Sequence, residues 1–285
     1  MVKQAVPAPE RLAVLAEQAR RVREHIVDMC ALPEGGHLGG SMSLVEVLVT
    51  LYFEVMRVDP ADPRWPDRDV LVLSKGHGAL ALYATLAERG FFPVEELAGY
   101  ASAGSRLLGH PSRAVPGVEM PTGSLGHGLA LGSGFALAAR QDRHPRRCFV
   151  VLGDGELQEG SVWEAAMGAS SMRLDQLVAI VDRNGLQITG RTEATVKLEP
   201  LADRWRSFGW AVRQVDGHDP AALAATLSAV PAEPGRPTAV IAATVKGKGV
   251  AFIEDKPQSH YARLGERQHA RARLALSGRR QEVGQ

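Results

Sequence analysis

Two glycine-bounded turns, set one crossover apart, limit this chain more than any other feature. The first is Gly153-Asp154-Gly155, directly after Cys148-Phe149-Val150-Val151-Leu152. That run is short, apolar and partly β-branched, as expected of a strand buried on both faces of a parallel sheet. The second turn is Asp182-Arg183-Asn184-Gly185-Leu186, directly after the apolar run Leu177 to Val181. Between them Ser161 to Met172 reads as a helix, so the spacing predicts a βαβ unit. Its strands deliver Asp154 and Asn184 to the same carboxyl edge of the sheet, where open α/β sheets collect ligands. Gly153 and Gly155 carry no Cβ, which permits a sharp turn and the close approach of an anion.

An Asp carboxylate, an Asn amide oxygen and one backbone carbonyl form a hard half-shell for a cation. Mg²⁺ completes its octahedron with waters and substrate phosphates, which points to a diphosphate. A Gly-Asp-Gly tripeptide alone is more simply a turn with a capping Asp. An Asn standing 30 positions after Asp154, past a matching strand, reverses that balance.

The rest of the chain supplies the remaining strands and helices. Pro9 to Met29 has helical spacing, Glu34 to Ser41 is a glycine-rich loop around His37, and Ser43 with Glu46 forms a capping-box signature before a helical run from Leu44 to Met56. Asp69 to Ser74 reads as a strand, followed by Ser74-Lys75-Gly76-His77-Gly78 and a helix over Ala79 to Glu88. Gly109-His110-Pro111 lies in a long loop, and Pro121 to Gly128 leads into a small-residue helix from Leu129 to Arg140. Helices at Leu201 to Phe208 and Pro220 to Ser228 alternate with strands at Ala211 to Val215 and Thr238 to Val245. Lys246-Gly247-Lys248-Gly249 fits a phosphate site and a basic turn equally well. The expected fold is α/β, a doubly wound, mostly parallel sheet with helices on both faces. It forms a single domain over residues 1–285, with a divergent tail from about residue 261.

Composition closes off other classes. A chain of 285 residues with 45% hydrophobic content sustains a sizeable core, and a net charge of +1 gives no case for nucleic acid or an anionic membrane. Cys30 and Cys148 form no disulfide framework, and no apolar run approaches the roughly 18 residues of a membrane span. These features predict a soluble, cytoplasmic protein without a Cys/His metal cluster.

The stretch from Gly153 to Ala166, Gly-Asp-Gly-Glu-Leu-Gln-Glu-Gly-Ser-Val-Trp-Glu-Ala-Ala, taken with Asn184, resembles transketolases, in particular the N-terminal subunit of split forms. The resemblance runs over roughly residues 10 to 260, motif after motif in family order. It implies thiamine diphosphate held with Mg²⁺ or another divalent cation by Asp154, Asn184 and the Leu186 carbonyl. It further implies cofactor contacts from His77, Gly123, Leu125, Gly155, Glu159, Asn184, Ile188 and His260. His37, His77, His110 and His260 would serve the sugar as hydrogen-bond donors and proton carriers. A lone histidine in a glycine loop is more simply a loop residue or helix cap; it is their recurrence in family order that favours this role.

The implied reaction moves a two-carbon ketol unit from a ketose or ketose phosphate to an aldose. It needs a second, pyrimidine-binding domain that supplies a glutamate, and only about forty residues follow Val245. The expected partner is a C-terminal transketolase subunit in an α2β2 assembly, with Glu159 and Glu164 at the interface between cofactor sites. Three departures stand out: His127 in place of a glutamine, His260-Tyr261 in place of His-Gly, and the Arg-rich tail. An α subunit of the 2-oxo acid dehydrogenase type would share Gly-Asp-Gly and Asn but lack these histidine loops. A further alternative is a non-catalytic cofactor-binding or regulatory module, and the intact Asp154 and Asn184 pair argues against a degenerate site.

Overall fold

The computed structural model describes residues 7–277. Its strands are β1 (Val70–Leu73), β2 (Cys148–Gly153), β3 (Leu177–Arg183), a two-residue hairpin of β4 (Leu186–Gln187) and β5 (Gly190–Arg191), then β6 (Ala211–Asp216) and β7 (Thr238–Ala243). Its helices are α1 (Pro9–Ala31), α2 (Leu38–Met42), α3 (Val45–Thr50), α4 (Ala79–Arg89), α5 (Gly128–Gln141), α6 (Gly160–Ser171), α7 (Thr192–Thr195), α8 (Leu201–Ser207), α9 (Pro220–Ser228) and α10 (Glu266–Leu276). Five strands form one parallel sheet in the order β1-β2-β3-β7-β6.

Strand periodicity builds a core on each face of this sheet. Leu71, Phe149, Val151, Ile180 and Val240 point to one side, where α1, α3, α4 and α9 cover them. Val72, Val150, Leu152, Ala179 and Ile241 point to the other, under α5, α6 and α8. The chain is therefore doubly wound, as the sequence predicts. Register pairs Gly153 with Asp182, and Asp182 with Ala242. Asp154 and Asn184 thus emerge side by side at the carboxyl edge.

The structure departs from the sequence reading in the first ninety residues. The glycine-rich segment expected as a loop contains the short helix α2, every residue of which is buried. The helix expected over Leu44 to Met56 forms as α3 and passes without interruption into a π-helical turn at Leu51–Val55. The capping box does not form, because both residues have distant partners. Ser43 Oγ donates to Asp182 Oδ2 at 2.7 Å, and Glu46 pairs with Arg23 at 2.6 Å. The described part of the Arg-rich tail becomes α10, which lies on α1 through buried Ala272 and Leu276 and a His269–Asp28 contact at 2.7 Å, while Arg271 stacks over Phe252 in the loop after β7; residues 278–285 of the tail lie outside the described residues. Among the described residues no helix is long and apolar enough to cross a membrane.

Candidate active site

The two turns converge as an ordered set of oxygens. Asp154 Oδ1 accepts the Gly155 amide at 2.8 Å, while Oδ2 accepts Gly185 N–H at 2.6 Å and Arg183 Nη1 at 3.0 Å. Two donors occupy Oδ2, so Oδ1 keeps a direction open. Asp182, fully buried beneath, is a pure acceptor: it takes Lys75 Nζ at 2.6 Å, Ser43 Oγ at 2.7 Å, the Thr244 hydroxyl and Asn184 Nδ2 at 3.1 Å. The last contact fixes the Asn184 amide, since only its NH2 can face a carboxylate. Asn184 Oδ1 must then point the other way, where it accepts Leu186 N–H at 3.0 Å and retains a lone pair.

Electrostatics agree with a cation site. Burial, reinforced by the neighbouring Asp182 charge, pushes the Asp154 carboxyl above its ordinary range despite Arg183. Burial alone would also raise Asp182, but Lys75 with the Thr244 and Ser43 hydroxyls brings it below its ordinary value. Among the described residues no cluster of three His, Cys, Asp or Glu side chains has metal-binding geometry, so the candidate ligands are a mixed oxygen set. Carboxylate, amide and carbonyl oxygens suit a hard divalent cation.

This set opens into a cavity of about 400 Å³. Lys75 and Lys246 line its floor, buried at 1% and 2% exposure, two cationic groups set beside the Asp154 and Glu156 carboxylates. Leu125, Leu186 and Ile188 line an apolar side. The mouth holds four imidazoles with His37 at their centre, 5.6 Å from His77, 5.5 Å from His110 and 5.4 Å from His260, ring centre to ring centre. They arrive on separate segments: the start of α2, the end of β1, the long loop after α4, and the turn before α10. The Tyr83 hydroxyl anchors the third by donating to the His110 carbonyl at 2.7 Å. Burial, with His110, Lys75 and Lys246 nearby, lowers the His37 imidazole to about 4. Burial and Lys246 bring His260 to about 4, and burial with Lys75 holds His77 well below its ordinary value. Burial, with Lys75 close by, lowers the Lys246 ammonium to about 8.

Glu156 ties the glycine turn to the loop before α5. Its buried carboxylate accepts Gly153 N–H at 3.0 Å, Gly126 N–H at 2.9 Å and the Ser74 hydroxyl, whose oxygen in turn accepts Gly128 N–H at 3.0 Å. Thr122 Oγ1 adds a bond to the Leu73 carbonyl at 2.6 Å. Gly123 and Leu125 are held at the cavity wall by this network.

Most of the residues singled out in the sequence are brought together here. The four histidines, Gly123, Leu125, Asp154, Gly155, Asn184, Leu186 and Ile188 all line the cavity. Glu159 does not. Its backbone turns extended between the 3-10 turn Gly155–Gln158 and α6, which sets its exposed side chain against Gly126, outside the cavity. Glu164 is likewise exposed on α6, and His127 is exposed at the start of α5. Lys75, Glu156 and Gln187 line the site without having been singled out. Lys75 is framed by the Ser-x-Gly-His stretch and Glu156 directly follows Gly-Asp-Gly, but nothing local announces that either is buried. Lys246 carried a signal in Lys-Gly-Lys-Gly.

Comparison with known proteins agrees with this geometry. The family model described as "Transketolase, thiamine diphosphate binding domain" matches residues 15–282. A 6-deoxy-6-sulfo-D-fructose transketolase subunit from Clostridium sp. is 44% identical over 88% of this chain and 92% of its own length. One subunit of the apulose-4-phosphate transketolase from Phocaeicola vulgatus is 42% identical over 88% of this chain and 89% of its own. The crystal structure of Campylobacter jejuni transketolase superposes with a TM-score of 0.87 at 31% identity, over 93% of this chain. The chain spans only 43% of that structure, whereas it spans nearly the whole of the relatives named as subunits. A family model matched over nearly the whole described chain, with relatives above 40% identical along almost their full length, means that the chain belongs to the transketolase family, in its thiamine-diphosphate-binding domain.

Proposed function

We propose that this chain is the N-terminal subunit of a two-chain transketolase, moving a two-carbon ketol unit from a ketose or ketose phosphate to an aldose acceptor. The observation that carries the reading is the meeting, in one cavity, of the oxygen half-shell at Asp154 and Asn184 with four imidazoles at the mouth. Neither half would need the other in a protein that only bound a metal.

The cavity fits the implied cofactor. Asp154, Asn184 and the Leu186 carbonyl would hold Mg²⁺, and the Gly155 turn with Lys75 and Lys246 would hold the diphosphate. Leu125, Ile188 and Gly123 would border its rings. Among the described residues the buried His37 Nδ1 has no hydrogen-bond partner, which marks a place for a polar ligand group. When bound, thiamine diphosphate supplies a nucleophilic carbon and an electron sink. The chain's own part is to orient the sugar and move protons at its oxygens. His37, His77 and His260 enter neutral at pH 7, able to give or take a proton. Lys246 Nζ lies 3.2 Å from His260 Nδ1 and, as an ammonium, donates to it, which leaves the ring proton of His260 on Nε2.

The partner is a separate chain carrying the pyrimidine-binding domain, and the active assembly is α2β2 in the cytoplasm. Support comes from relatives of the same length that are named as subunits, and from Ile188, a cavity residue left 68% exposed. Named relatives act on a sulfonated and a phosphorylated sugar, so a ketose with an anionic tail is the substrate class to try first. The test mixes purified chain with the complementary subunit, thiamine diphosphate, Mg²⁺, a ketose phosphate and an aldose phosphate. Ketol transfer is expected; turnover of a 2-oxo acid with no ketol transfer would overturn the reading.

A further inference from the structure

His37 is the hub of the imidazole crown, yet among the described residues no hydrogen bond reaches its ring. A glycine turn, Gly35-Gly36 with Gly35 at φ +65°, carries His37 to the start of α2. Such a segment has little stiffness of its own. The orientation of His37 must therefore come from what packs on it. The nearest ring is not another histidine but Tyr261, perpendicular to it with centres 4.9 Å apart.

Tyr261 has no place in the core. It is 53% exposed and does not line the cavity, so it backs His37 from outside. Its hydroxyl donates to the Glu34 carbonyl at 2.7 Å. On the next residue, Ala262, a two-bond bridge closes on Gly36: Gly36 N–H to the Ala262 carbonyl at 3.0 Å, and Ala262 N–H to the Gly36 carbonyl at 2.9 Å. A Cβ on Gly35 would stand 2.7 Å from the Ala262 oxygen, so the two segments touch backbone to backbone. The strap after His260 thus grips the loop on both sides of the residue preceding His37.

We propose that Tyr261 is a positioning residue that holds the His37 imidazole in the cavity, its ring setting the orientation and its hydroxyl pinning the loop. The inference rests on the proposed sugar-handling role of His37. Because Tyr261 is exposed, its substitution removes the backing without opening the core.

The test compares Tyr261→Ala and Tyr261→Phe, each alone and with His37→Ala, in the chain assembled with its complementary subunit. Tyr261→Ala is expected to lower kcat/KM for the ketose donor about 10- to 100-fold, the cost of a misplaced reacting group, with thiamine diphosphate affinity unchanged. Tyr261→Phe keeps the ring and should stay within about fivefold of wild type, since it loses one neutral hydrogen bond. Tyr261→Ala should add nothing in the His37→Ala background. Additive losses, or wild-type kinetics in Tyr261→Ala, would overturn the proposal. A second readout needs no turnover: in the isolated chain, Tyr261→Ala should move the His37 ring resonances in NMR spectra, through loss of the tyrosine ring current, more than those of His77 and His110. Unmoved His37 resonances would sink the contact whatever reaction the protein catalyses, whereas a wild type with no ketol transfer would count against the function instead.

Discussion

Asn184 can present its oxygen to a cation because Asp182 holds the other end of its amide, and Asp182 can stay charged at zero exposure because Lys75 is driven into it. Groups behind a metal ligand commonly matter 10- to 100-fold in affinity. Asp182→Asn should therefore weaken Mg²⁺-dependent thiamine diphosphate binding by about 10- to 100-fold, and Asp154→Ala, which deletes a charged ligand, by more. Calorimetric titration of the assembled protein measures both, with circular dichroism confirming the fold. Unchanged affinity in folded Asp182→Asn would show that the amide needs no such support. The imidazoles carry a separate pH signature. His37 and His260 sit near 4 in the folded chain, below the ordinary 6.5, so between about pH 4 and 6.5 the unfolded chain binds protons that the folded chain refuses. Stability from this source is whole above pH 6.5 and is lost as the pH falls toward 4. The raised Asp154 and Glu156 carboxyls act in the opposite sense, so the comparison that isolates the imidazole is wild type against His37→Asn. The variant's unfolding midpoint should fall less steeply over that window, and parallel curves would contradict the lowered imidazole.

At the scale of elements, the site depends on how closely α5 lies on the sheet. A Cβ at Gly132 would collide with the Val150 side chain and come within 3.3 Å of Leu177 Cδ1, so only glycine lets the helix sit this deep. Gly132→Val should destabilise the chain by about 1–3 kcal/mol through overpacking, outweighing any gain in helix propensity. A thermal midpoint at or above wild type would mean the helix is free to lift. Close packing of this kind could be guessed from the small residues of α5, just as β2 and β3 were legible as unbroken apolar runs and the turns after them as glycine-bounded. The change to π-helical pitch at Leu51 was not. Residues there are buried almost all round, so no one-sided apolar face marks where the pitch changes. Ser43 forms no cap because its hydroxyl goes to Asp182, 139 positions away, and Lys75 is buried against the same carboxylate, 107 positions away. Motif spacing reports which atoms meet at a strand end. It does not report which polar side chain the fold will spend beneath them.

On the scale of the whole molecule, the sheet is covered on both faces, yet several apolar side chains remain exposed. Met167 is 57% exposed and Met172 36% exposed, both on or just past α6, and Ile188 projects 68% exposed from the cavity. Single exposed apolar residues are ordinary. Here α6, which carries Met167, starts beside the exposed Glu159, and Glu159 lies against Gly126 in the turn that holds the exposed Gly123, Ser124 and His127, so these residues make up one flank near the cavity wall. If the proposed complementary subunit seats on this flank, the isolated chain should carry no ketol-transfer activity, and activity should appear saturably as that subunit is added. Substitutions on the flank should then act on assembly and not on folding. Met167→Glu places a charge in the expected interface at a residue that contributes little to the core, so its unfolding midpoint should match wild type within about 1 kcal/mol. The concentration of complementary subunit giving half-maximal activity should rise at least about tenfold, as one desolvated charge costs more than 1.4 kcal/mol at an interface. Activity at saturating subunit should return to the wild-type level, because Met167 lies outside the cavity. An unchanged half-saturation point would place the partner on another face, and robust transfer by the isolated chain would remove the need for one.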